Sequence, residues 1–227
     1  MNYIEYNREE RDICAHLFRL LLHDQPDWGP LKEFLGINQV GVPQIYCEVA
    51  LIRDAYHARK PNTQQFLNDL SELIAEQKCV DSYTHFANLP DFIKDPKQTH
   101  PKQIHFKLEN MGRLNSKGDK VVYGCLQGMF NAKPDLVVCT GSDLFVYEAK
   151  YMSTFEREQM ERTEQIGEVW AKLLYKDLGF ELEPTVLVRT LGLAKTSPDI
   201  SWERVYRIAE NYWGKDDFSL RALSRAL

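Results

Sequence analysis

An α/β fold is predicted for this 227-residue chain: a mixed central sheet flanked by helices, in the order helix, three strands, helix, strand, with a helical insertion after the first helix. Three observations carry that expectation. Apolar residues recur at helical spacing near the start, three β-rich segments follow one another from Val121 to Lys150, and a long amphipathic run then precedes one more strand-like segment, "PTVLVRTL". With 44% hydrophobic residues the chain can bury one sizeable core, so residues 1–227 read as a single domain, with the insertion at about 40–80 and a C-terminal helical part at about 200–227.

The first helix spans about Asn7 to His23, where Ile13, Leu17, Leu20 and Leu21 form an apolar stripe that ends at the turn formers "HDQPDWGP". Two more helical patterns make the insertion. They are Ile45, Val49 and Ile52 in "QIYCEVALIRDAY", then Phe66, Leu67, Leu70, Leu73 and Ile74 behind a cap at Asn62 or Thr63. Between Leu89 and Lys120 three prolines and a scatter of lysines predict mostly loop with one short strand. "VVYGCL", "DLVVC" and "LFVYEAK" are rich in β-branched and aromatic residues and read as neighbouring strands. A helix follows from about Ser153 to Leu178, ended by Gly179. Beyond "PTVLVRTL", Trp202, Val205, Ile208 and Tyr212 mark a helix stopped at Gly214, and "FSLRALSRAL" a last short one.

A formal charge of -5 argues against coating nucleic acid through bulk positive charge, so any such contact must be local. Five scattered cysteines with no C-x-x-C pair suggest neither a disulfide framework, a zinc knuckle nor an iron-sulfur cluster, and the six histidines show no metal-ligand spacing. The charged start and the lack of a long apolar run predict a soluble, unprocessed cytoplasmic protein that does not enter a membrane.

"KPDLVVCTGSDLFVYEAKY", residues 133–151, sets two acids and a lysine inside two apolar strands. Gly141 followed by Ser142 suits a two-residue hairpin loop with glycine first. Thr140 then faces Asp143, and stepping outward pairs Cys139 with Leu144, Val137 with Val146 and Asp135 with Glu148. Directly opposed carboxylates, with Cβ atoms roughly 4.5–5.5 Å apart, repel unless a cation lies between them. Lys150 shares the face of Glu148, whereas Tyr147, Ala149 and Tyr151 point the other way. Hard oxygen ligands favour Mg²⁺, with Mn²⁺ able to substitute, and a neighbouring lysine would offset charge developing on a phosphoryl group. The set predicts metal-dependent phosphodiester hydrolysis.

Pro134-Asp135 followed across a hairpin by Glu148-Ala149-Lys150 resembles the signature of the PD-(D/E)XK nuclease superfamily. The element order resembles that family's restriction-endonuclease-like core. The resemblance implies metal-dependent DNA cleavage, with Asp135 and Glu148 as metal ligands and Lys150 as the catalytic lysine. It also implies an acid from the first helix at the metal, Glu9 or Glu10. Helical stepping turns Glu10 closer to the Ile13, Leu17 and Leu21 stripe, which favours it as a third catalytic and metal-binding acid. Gln165 is followed a turn later by Val169, where the RecB-like branch carries tyrosine, so the resemblance stays at superfamily level.

An Mg²⁺-dependent DNA endonuclease of restriction or phage-defence character, acting with or without a partner protein, is therefore the first expectation. A nuclease-fold protein that binds DNA or a partner chain without cutting, and a structure-selective repair nuclease, stand beside it. Lys102, Lys107 and Lys117 are candidate phosphate contacts. Paired cleavage of two cognate phosphates would suit a homodimer.

Overall fold

The computed structural model describes residues 10–23, 27–77, 86–113, 117–151 and 154–227, the side chains of Glu10, Lys117, Arg225 and Ala226 excepted. It is an α/β chain in two compact units. The first comprises residues 1–49, 134–167 and 178–227, and the second residues 50–133 and 168–177.

The first unit opens with α1 (Glu10–Leu21) and α2 (Gly29–Leu35) and continues into β1 (Gln44–Cys47). After the second unit's first segment come β2 (Leu136–Cys139) and β3 (Asp143–Ala149). Helix α7 (Arg157–Leu174) begins in the first unit and leads on to β4 (Thr185–Gly192) and the two-residue β5 (Ile200–Ser201). Helices α8 (Trp202–Tyr212) and α9 (Phe218–Ala226) end the chain. The sheet runs β1-β2-β3-β4-β5, antiparallel across β1, β2 and β3 and parallel across β3, β4 and β5.

Period-two alternation gives the sheet two buried faces. Leu136, Val138, Phe145, Tyr147 and Ala149 face a core built with Ile13, Leu17, Leu20 and Leu21 of α1, Leu31 and Phe34 of α2, and Trp202, Val205 and Ile208 of α8. The stripe expected in the first helix is thus its buried face. Val146 belongs to the other face, which α7 approaches closely: a β-carbon on Gly167 would lie 2.7 Å from Val186 Cγ1 and 3.3 Å from Val146 Cγ2. Only glycine lets the helix rest so near the sheet.

The second unit is helical, with α3 (Leu51–Ala58), α4 (Thr63–Glu76), α5 (Pro101–Asn110) and α6 (Lys117–Asn131). Three expectations are corrected. "VVYGCL" is not a strand but part of α6, because Val122, Leu126 and Phe130 recur at helical spacing and are all buried. The Tyr123 hydroxyl donates to the Pro96 carbonyl at 3.1 Å and to that of Thr99, and Gln127 Nε2 donates to the same two carbonyls, which ties the helix to the preceding loop. The period of the buried residues overrides the β-propensity of the Val-Val-Tyr run. Conversely "QIYC", expected as helix, is β1, and α2 and that strand both follow the first helix before the helical insertion starts. The stretch expected as loop holds α5, begun by Pro101 and capped by His100 Nδ1, which accepts from the Lys102 amide at 3.1 Å. Among the described residues no helix is long and apolar enough to cross a membrane.

Candidate functional site

The β2–β3 ladder pairs Leu136 with Tyr147, Val137 with Val146, Val138 with Phe145 and Cys139 with Leu144, the register derived from a Gly141-Ser142 loop. The turn closes through the Thr140 amide donating to the Asp143 carbonyl at 2.9 Å. One step beyond the last pair, Asp135 and Glu148 are neighbours at the strand ends. Asp135 Oδ2 accepts the Ala149 amide at 2.7 Å, so the carboxylate of β2's lead-in residue is latched to the backbone beside Glu148.

Glu148 is buried, and three side chains donate to it. Lys150 Nζ reaches Oε1 at 3.0 Å, Gln159 Nε2 bonds the same oxygen, and Thr163 Oγ1 stands 3.5 Å from Oε2. Lys150 is largely covered as well, its side chain 14% exposed against 12% for Glu148. Its backbone is pinned on both sides, the amide donating to the Leu191 carbonyl at 2.7 Å and the carbonyl accepting from Trp202 Nε1 at 3.0 Å. The lysine therefore enters the site from a fixed strand end.

Sequence reasoning missed Gln159 and Thr163. They lie in "EREQMERTEQ", where most residues are charged. The available signal is spacing: Gln159, Thr163 and Gly167 lie four residues apart, one stripe of α7, and Gly167 turns that stripe onto the sheet.

A third acid stands in the row. Because Cys47 pairs with Leu136, Glu48 follows opposite Asp135, and its amide approaches the Asp135 carbonyl at 3.4 Å. Glu48 adopts a left-handed φ of 50°, uncommon for a residue with a side chain. Its carboxylate pairs with Arg11 of α1 at 3.0 Å. Beside it, burial pushes the Cys47 thiol up to about 11, with the negative charges of Glu48 and Asp135 adding to the effect. Three adjacent strand ends thus each carry an acid, and among the described residues Arg11 pairs with Glu48 and Lys150 with Glu148.

The first-helix acids expected here fall outside this geometry. Glu9 lies outside the described residues, as does the side chain of Glu10, which is the first residue of α1. Among the described residues no three His, Cys, Asp or Glu side chains close into a group that could hold a metal ion. Lys102 and Lys107 lie on α5 of the second unit, and Lys117 opens α6. No family model matches the chain, and neither does any curated protein or solved structure.

Proposed function

We propose that the chain is a divalent-metal-dependent nuclease, its first unit a restriction-endonuclease-like core in which α1, β1, β2, β3, α7 and β4 supply helix, three strands, helix and strand in order. The observation that carries the reading is the hairpin register, which makes Asp135 and Glu148 neighbours with the Lys150 ammonium on Glu148. The donor set fits a hard cation, since its ligating atoms are carboxylate oxygens. Asp135 and Glu148 would hold Mg²⁺ or Mn²⁺, with Glu10 as a candidate third acid, and the bound ion would lower the pKa of a water and polarise a phosphoryl oxygen.

The chain's own residues then divide the work. The Ala149 amide fixes Asp135, while Gln159 and Thr163 fix Glu148, so neither acid has to be ordered when a cation arrives. Lys150, a hydrogen-bond donor to Glu148, keeps a positive charge beside the acids and would offset negative charge that develops on a phosphodiester. Asp135 and Glu148 would hold the cation, and Lys150 would lend its ammonium to the substrate phosphate.

The test incubates purified protein with supercoiled, linear and single-stranded DNA in Mg²⁺, Mn²⁺ or EDTA. Cleavage is expected with either metal and none in EDTA; equal activity in EDTA would sink the metal mechanism. A second reading, a nuclease-fold protein that binds without cutting, draws on one observation: three side chains already donate to the Glu148 carboxylate. No cleavage of any DNA or RNA, together with no heat of metal binding, would favour it.

A further inference from the structure

We propose that the outer face of α5 binds an unpaired DNA strand, with Phe106 as a stacking platform and Lys102, Lys107 and Lys120 as phosphate contacts. This deepens the nuclease reading by naming its substrate class, and it rests on that reading only for what becomes of the strand once bound.

Helix α5 buries Ile104 and Leu108, which anchor it, yet presents Phe106 outward at 65% exposure. Lys102 lies one turn before Phe106 on the same side. The Phe106 ring is braced, with the His105 ring edge-on to it at 5.7 Å between centroids and 85° between planes. His105 is held in turn, its Nδ1 accepting from Lys120 Nζ at 2.8 Å. The platform is thus ordered before any ligand arrives, which limits what is lost on binding.

The surroundings are basic in a chain that is not. From Lys94 to Lys120 seven lysines and arginines stand against three acids, a formal surplus of four where the whole chain carries -5. Part of that charge is already matched, Lys94 by Asp91 at 2.9 Å and Arg113 by the buried Asp119. Lys102, Lys107 and Lys120 have no carboxylate partner among the described residues. Lysines alone would suit any polyanion. An exposed aromatic ring among them selects further, because a duplex keeps its base faces stacked inside whereas a single strand offers both phosphates and a π-face.

The experiment is fluorescence anisotropy in EDTA, with labelled single-stranded DNA, the same sequence as duplex, single-stranded RNA, and polyglutamate as an acidic peptide. The parent is expected to bind single-stranded DNA most tightly. F106A should weaken that binding by roughly 5- to 150-fold and leave duplex affinity unchanged, since stacking on one base is what it removes. F106W should keep it. The triple variant K102A/K107A/K120A should lower the slope of log affinity against log salt by about two. Single-strand affinity unchanged in F106A, an equal loss on duplex, or tighter binding of RNA or polyglutamate than of single-stranded DNA would each overturn the proposal. Phe106 is exposed, so a folding defect is not expected, and circular dichroism of each variant checks it. The two readings fail separately: metal-dependent cleavage by a protein indifferent to F106A removes this inference alone, and Phe106-dependent binding without cleavage removes the nuclease alone.

Discussion

At the start of α9, Asp217 meets Arg19 of α1 through two parallel bonds of 2.7 and 2.8 Å, and its Oδ1 also accepts the Ser219 amide at 2.7 Å and that of Leu220 at 3.3 Å. At the ends of β2 and β3, Asp135 and Glu148 stand side by side, with the Lys150 ammonium on Glu148. Both regions belong to the first unit, and both hold their acids in place. The first matches one acid with one arginine, which is structural: the Arg19 guanidinium draws the Asp217 carboxyl down to about 2. The second sets like charges at adjacent strand ends, an arrangement that costs stability unless cations join it. An acid that caps a helix and an acid proposed to hold an ion would differ in their local charge partners, and burial alone does not reveal it.

Replacing Asp135 should have the largest effect. D135N keeps a carbonyl oxygen for the Ala149 amide but removes charge, so cleavage should fall by more than about 100-fold and Mg²⁺ should no longer raise the melting temperature. D135A should also lose stability, by about 1–3 kcal/mol, because the buried Ala149 amide is left without its acceptor. Single-turnover cleavage and thermal melts with Mg²⁺ or EDTA read both effects; a normal Mg²⁺ response in D135N refutes the ligand role. K150A comes next. It leaves both carboxylates, so cleavage should drop by about 10²–10³ while the Mg²⁺-induced rise in melting temperature persists. Parental cleavage by K150A would show that the lysine only neutralises Glu148.

Q159A and T163V should each lower apparent Mg²⁺ affinity or activity by about 10- to 100-fold, as loss of a residue that orients a ligand does. Titrating the cation distinguishes the two, since a positioning defect is relieved at high Mg²⁺. D217A is the smallest change and the sharpest control. It should cost about 1 kcal/mol at neutral pH through the lost cap and leave cleavage untouched. Because the folded carboxyl titrates below its ordinary value of 3.8, the stabilisation is complete above that value and fades as the pH falls toward about 2. Denaturation at pH 7 and near pH 2 should therefore show the parent-variant gap closing.

The hairpin was legible because two residues, Gly141 and Ser142, fix a register, and a register fixes which side chains face each other. The helices of the first unit were legible through their apolar stripes. Glu48 was not, since β1 is four residues long, only half-buried along its length, and runs almost directly into α3, so "QIYCEVALIRDAY" carries more helical than strand character. Helix α6 was hidden by the opposite conflict, where β-branched residues occupy helical positions. Gln159 and Thr163 escaped because a polar residue that turns inward differs from one that turns outward only in what the helix packs against. That fact belongs to Gly167 and the sheet.

Gly167 also makes the site adjustable from a distance. The stripe of Gln159, Thr163 and Gly167 works as a depth gauge whose zero is set by a hydrogen atom resting on Val186 and Val146. A methyl group at that point cannot be absorbed by the valines without movement, and a helix moves as a rod, so the lift is delivered one and two turns away, at the donors to Glu148. A purely apolar substitution, far from any charge, thereby becomes a tuning screw for how tightly an acid is held.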